Sequence, residues 1–181
     1  MRVLKQDADG ITYRLDDAGF NWIPGPGRWS VAQCFDHLNL TNKLFLARLE
    51  ESVHTAREQG LTSDGPYSYN FLSRWFFRFN EPPAKWRVKA PAKVAPAHYK
   101  RVGETVPEFL TIHDRLIELL KEASGLDLVK AKCPLPGLPI VKFNLGMTFW
   151  IVTAHDRRHI QQAREVCVMP QFPGRPPKPA A

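Results

Sequence analysis

The stretch from Ser30 to Gln59 constrains the fold more than any other part of the chain. Its apolar residues recur at Val31, Cys34/Phe35, Leu38, Leu44/Phe45, Leu49 and Val53, the 3.6-residue period of an amphipathic helix. Ser30-Val31-Ala32-Gln33 fits a capping box, in which the serine hydroxyl accepts from an orphan backbone N–H and the glutamine reaches back. Gly60 supplies the stop.

Three further segments carry helical patterns. The first runs roughly from Lys5 to Phe20, with Ile11, Leu15 and Phe20 on its apolar side. The third starts at Thr105-Val106-Pro107-Glu108, with Thr105 as N-cap and the proline in the first turn, where no N–H is needed. Its stripe is Val106, Phe109/Leu110, Leu116/Ile117 and Leu120, and Gly125 ends it. The fourth begins near Asn144 and runs to about Val168, before Met169-Pro170. Its inward stripe is Leu145, Thr148, Val152, His155, His159, Gln162 and Val166. The connections contrast with these segments. Residues 61–103 hold five prolines, which forbid a long helix, although Tyr69–Asn80 has room for a helical turn. Residues 126–141 hold Pro134, Pro136 and Pro139 and read as an extended connection. The expectation is an all-α, four-helix-bundle domain over residues 1–170. Residues 171–181, rich in proline, form a tail expected to be disordered.

Composition narrows the function classes. The formal charge is +7, from 25 Lys+Arg against 18 Asp+Glu. Between Arg74 and Arg101 there are eight basic residues and one acid, Glu81, so that segment carries the whole excess. A nucleic-acid binder with a broad basic footprint is therefore disfavoured. Cys34, Cys133 and Cys167 are widely spaced with no CxxC, which argues against a disulfide scaffold. The first ten residues lack an apolar signal core, and the longest run free of charges and strong breakers, residues 145–154, is too short to span a membrane. A cytoplasmic location is expected.

The chemistry-bearing pattern is His155-Asp156-Arg157-Arg158-His159. Imidazoles at i and i+4 lie about 6 Å apart on one helix face, the spacing by which a helix presents two ligands to one metal ion. Two surface histidines are the plainer alternative. The pair falls, however, on the inward stripe with Leu145, Thr148 and Val152, where polar side chains need a shared partner. His37, next to Leu38, is a third candidate; taken alone it suits a satisfied boundary histidine equally well. Asp156 stands where Glu stands in H-E-x-x-H, and its alternative is a solvated acid paired with an arginine. Gln162 lies one turn past His159, within reach of a ligand imidazole, or is a boundary residue. His113 sits in the stripe of the third helix and suits a core histidine bonded to an acceptor better than a fourth ligand. His54 and His98 lie in polar contexts.

Trp29-Ser30 followed by His37-Leu38, and Asn144-Leu145-Gly146 followed by His155-x-x-x-His159 and Gln162, resemble the two signature blocks of the DinB-like superfamily, in that order and at that separation. The similarity spans roughly Trp22 to Val168. It implies a bundle of up-down-down-up topology, with long crossovers that match the 61–103 and 126–143 connections. It also implies three metal ligands, His37, His155 and His159, holding one divalent ion such as Zn, Ni or Fe. Members are often homodimers; some relatives are transferases or isomerases that use low-molecular-weight thiols, and many are described only as metal-dependent hydrolases. The first helix begins almost at Met1, shorter than in such relatives, so the expectation is either a truncated first strut of the bundle or a natural start upstream of this one.

Three protein ligands leave coordination positions open, as in catalytic rather than structural sites. An open Lewis acid suits hydrolysis and thiol binding alike. The expected substrate is a small molecule, anionic or thiol-bearing. The alternative is a non-catalytic, metal-containing binding module whose basic segment 74–101 engages an anionic partner. That segment interleaves Trp75, Phe76, Phe77, Phe79, Trp86 and Tyr99 with its charges. It reads as a crossover packed on the bundle by its aromatics, as a lid that attracts anions, or as a surface patch.

Overall fold

The computed structural model describes residues 1–67 and 90–173. The elements in chain order are helix α1 (Arg2–Thr12), helix α2 (Asp17–Asn21), helix α3 (Val31–Glu58), a 3-10 turn (Ala92–Val94), helix α4 (Val102–Glu122), strands β1 (Lys132–Leu135) and β2 (Leu138–Asn144), and helix α5 (Leu145–Cys167). The protein is mostly helical, with one small sheet. Helix α3 packs against α4 and α5, and α1 packs against the same two. Among the described residues, no helix is long and apolar enough to cross a membrane.

The capping box of α3 forms as expected. Ser30 Oγ accepts from Gln33 N at 3.1 Å, and Gln33 Oε1 accepts from Ser30 N at 3.1 Å. Asn144 caps α5 by accepting from Met147 N at 2.7 Å. Both caps are set by residues three apart in the chain, so they depend only on local chemistry.

Three expectations need correction. The single helix over residues 5–20 is broken at Tyr13–Asp16. Arg14 takes φ 58°, and Asp16 accepts from Gly19 N at 2.8 Å to start a new helix, α2. An aspartate side chain that competes for backbone N–H groups outweighed the continuing apolar period. The third helix starts at Val102 rather than after Thr105, which places Pro107 inside it. Its first turn is anchored from outside, because Asp17 Oδ1 accepts from Val102 N at 2.7 Å. Thr105 does not cap; its hydroxyl donates to Arg101 O at 2.8 Å. The extended 126–141 connection is an antiparallel hairpin, pairing Cys133 with Phe143. Pro136-Gly137 sits at its tip, with Gly137 at φ 80°, the proline-then-glycine pair of a type II turn.

The interior has two apolar clusters. One gathers Leu4, Ile11, Phe20, Phe35, Leu38, Phe109 and Ile160. The other gathers Phe45, Leu49, Leu116, Leu145, Met147 and Val152. Along α3 the switch from one to the other falls between Leu38 and Phe45, and along α5 between Ile160 and Val152. In or next to this gap lie buried polar residues: His37, Asn42, His113, Asp156 and His159. Two helix turns of α5 thus present polar groups to a bundle interior that is apolar above and below. Phe172, expected in the tail, packs edge-on against Trp22 at 5.7 Å. The expected turn at Tyr69–Asn80 and residues 174–181 lie outside the described residues.

Candidate metal centre

His37 projects from the second turn of α3, and His155 and His159 from the middle of α5. The structure brings these three together. His37 Nε2 lies 3.2 Å from His155 Nε2, the ring centroids of His37 and His159 are 4.7 Å apart, and those of His155 and His159 are also 4.7 Å apart. One ligand atom from each residue falls within 4.8 Å of the others, so the three lie close enough to hold one metal ion.

The ring protons are assigned by their acceptors. Val94 O accepts from His37 Nδ1 at 2.7 Å. A carbonyl only accepts, so the proton is on Nδ1 and Nε2 carries a lone pair. Gln162 Oε1 accepts from His159 Nδ1 at 3.0 Å, which leaves Nε2 of that ring as the free donor atom. This is the outer-shell pattern that orients metal-ligating histidines, and it assigns Gln162 the orienting role rather than a boundary one. Among the described residues His155 Nδ1 is buried without a hydrogen-bond partner, and the polar contact of that ring is the Nε2 approach to His37. Two imidazole nitrogens facing each other at 3.2 Å match the edge of a tetrahedral Zn site, roughly 3.3 Å for Zn–N of about 2.0–2.1 Å. The donor set therefore fits a divalent ion of the Zn, Ni or Fe type.

Electrostatics favour the neutral rings that metal binding requires. Burial pushes the pKa of His37 down. Burial, with the charges of His159 and His37, pushes His155 well below the ordinary histidine range. Burial and His37 hold His159 at about 3. Trp29 covers one side of the cluster, stacked on His159 at 5.4 Å and tilted over His37 at 5.0 Å.

Asp156 differs from both of its expected roles. It is not solvated, and among the described residues it does not join the histidine cluster. It is completely buried, with Oδ1 accepting from Asn42 Nδ2 at 2.8 Å and Oδ2 lying 3.0 Å from His113 Nε2. His113, also completely buried, donates through Nδ1 to Phe109 O at 2.9 Å. It is the core histidine its stripe suggested, not a fourth ligand. One proton lies between Nε2 and the carboxyl group, so the pair is neutral overall. The trio ties α3, α4 and α5 together one residue from a ligand. His54 is exposed beside Glu58, and His98 is exposed.

Several contributors were missed by reasoning from sequence. Asn42 lies one turn and a residue beyond His37, and no local pattern marks it. The Val94 carbonyl comes from a proline-flanked turn remote in sequence. Asp36, next to His37, is buried and pairs with Lys100 at 2.9 Å. Arg101 lies 3.5 Å from Glu104. Two cations of the basic segment thus serve local pairing, while Arg74, Arg78, Lys85, Arg87 and Lys89 lie outside the described residues.

Three convergent histidines in a mostly helical fold, two of them held by outer acceptors, form a cluster that could hold one metal ion. A family model described as the DinB superfamily matches residues 4–163. The chain belongs to that superfamily. No curated protein and no solved structure gives a match.

Proposed function

We propose that the chain is a metal-dependent enzyme of the DinB superfamily, a hydrolase or a transferase that uses a low-molecular-weight thiol. His37, His155 and His159 are its ligands to one divalent ion. The observation that carries this reading is the pairing of His37 Nδ1 with Val94 O and of His159 Nδ1 with Gln162 Oε1, which leaves the Nε2 of each ring free, that of His37 lying 3.2 Å from His155 Nε2. A divalent ion held by three protein ligands supplies Lewis-acid chemistry at an open position. The chain's own residues do the rest: Val94 and Gln162 fix the rings, Trp29 shields one side from water, and the Asp156–His113 pair holds α5 in rotation. An up-down-down-up order of helices, a homodimer, a cytoplasmic location and a small anionic or thiol-bearing substrate belong to the same reading. The long connections on either side of α4 support the helix order.

The test uses the full chain, stripped of metal and reconstituted with zinc, nickel or ferrous iron. Elemental analysis is expected to give close to one ion per chain. His155→Ala or His159→Ala should abolish that binding while the helical circular-dichroism signal stays. No metal after reconstitution would refute the site. A hydrolase and thiol-transfer screen on the loaded protein then tests the activity.

One observation favours a second reading, a non-catalytic metal-containing module that holds an anionic partner through residues 74–101. The carboxylates beside the ligands are both engaged elsewhere, Asp36 with the half-exposed Lys100 and Asp156 with the buried His113, and among the described residues no carboxylate joins the histidine cluster. A loaded protein inactive across the whole screen, yet binding an anionic partner in a salt-dependent way, supports it.

A further inference from the structure

The limb of chain that re-enters the bundle ahead of α4 is fastened to the candidate centre and to two helices. At its near end, Val94 O accepts the ring proton of His37 at 2.7 Å. In its middle, both carboxylate oxygens of Asp36 are spent on it. Oδ2 accepts from Ala97 N at 2.8 Å, and Oδ1 lies 2.9 Å from Lys100 Nζ. At its far end, Asn21 Nδ2 donates to Lys100 O at 2.7 Å, and Lys100 N donates to Asn21 Oδ1 at 2.9 Å. Within the limb, among the described residues, the backbone bonds are those of one 3-10 turn, Val94 N to Pro91 O and Ala95 N to Ala92 O.

We propose that residues 90–101 form a strap whose closure is thermodynamically linked to metal occupancy, with Asp36 as the positioning residue that seats Val94 against His37. The inference rests on His37, His155 and His159 holding a metal ion. With the strap closed, the Val94 carbonyl keeps the His37 proton on Nδ1 and aims Nε2 at the other two rings. With the strap lifted, Nδ1 loses its acceptor and the ring is free to rotate or to move its proton to Nε2, which removes the ligand. Metal therefore binds the closed form better. By reciprocity of linked binding, the ion must favour closure by the same factor by which closure favours the ion.

Asp36 is suited to this role by its place. It precedes the ligand by one residue, is only 3% exposed, and a carboxylate so buried needs partners. The strap supplies both of them. The far end, tied to α2 through Asn21, stays anchored when Asp36 is removed, so lifting is confined to the segment around 92–98.

The test combines a zinc competition titration with hydrogen exchange on the full chain. Loss of an outer-shell partner typically costs 10–100-fold in metal affinity, and Asp36→Ala should weaken zinc by about that factor. In the wild type, saturating zinc should slow exchange over residues 92–99 by the same factor, to within about threefold. His155→Ala should remove the effect of zinc on that exchange. Lys100→Met cuts the ion pair while leaving the Ala97 bond, and should give a smaller loss of affinity, which keeps the test intact if Asp36→Ala does not fold. One zinc per chain with unchanged exchange over 92–99 overturns the strap and leaves the metal site standing. Zinc affinity within about threefold of wild type in both variants does the same. Absence of zinc binding overturns both.

Discussion

Replacing His113 by leucine isolates the contribution of the polar layer. The imidazole and the Asp156 carboxyl are both completely buried. Leucine fills most of the same space, so the cavity term is small. The Phe109 carbonyl loses little, because it lies four residues back on the same helix and keeps its helical partner. The cost falls on Asp156, whose Oδ2 loses its 3.0 Å partner and keeps only the Asn42 bond on the other oxygen. An uncompensated buried charge costs about 3–5 kcal/mol, a fifth or more of the roughly 5–15 kcal/mol that stabilises a typical domain. Asp156→Asn makes the contrast. With the His113 proton on Nδ1, Nε2 accepts from the new amide while the amide oxygen still accepts from Asn42. All three hydrogen bonds survive, and the expected cost is under about 1 kcal/mol. Urea denaturation followed by tryptophan fluorescence measures both variants, with the m-value as a check on two-state behaviour. His113→Leu costing less than about 1 kcal/mol, or Asp156→Asn costing as much as His113→Leu, would refute the proton assignment and the network built on it.

Other outcomes are open to simpler measurement. The depressed pKa values of the ring trio lie below the unfolded value of about 6.5. Their contribution is therefore whole above that pH and is lost as pH falls toward about 3. Urea midpoints of metal-free protein should decline from pH 7 to 4, at up to about 1.4 kcal/mol per pH unit per histidine. A flat profile would contradict the burial of these rings, and His159→Ala should flatten the wild-type slope in part. Ser30→Ala removes a buried cap at the start of the helix carrying His37 and should cost about 1–2 kcal/mol, largely restored by aspartate or threonine. Gly137→Ala meets no atom within 4 Å but sits at φ 80°, so its expected cost of about 1–2 kcal/mol is purely backbone strain; an unchanged melting temperature would count against the turn.

The long helices and the capping box of α3 were legible because their determinants are local, whereas the cap expected at Thr105 does not form. Ser30 with Gln33, and Asn144 with Met147, are three residues apart, and the apolar period of each helix is written within its own length. The pairing of His155 with His159 was legible for the same reason: one helix turn puts both on one face, whatever the helix packs against. The break at Tyr13–Asp16 was hidden because the apolar period continued across it while Asp16 capped a new helix. Pro107 misled in the opposite sense, since anchoring by Asp17 allowed α4 to begin a turn before the expected cap. The hairpin escaped because prolines argued only against helix and said nothing about pairing.

What only the tertiary structure decided is which remote groups meet. His37 joins His155 and His159 because α3 packs on α5. Val94, far from His37 in the chain, fixes its proton because the returning limb is drawn onto α3 by Asp36. Asp156 resembled a motif acid in sequence. Packing turned it inward to Asn42 and His113, groups on two other helices that no periodicity connects to it. Hydrogen-bond partners and ligand sets that span helices depend on how those helices are rotated and docked, and that information resides in the assembled core rather than in any single stretch of residues.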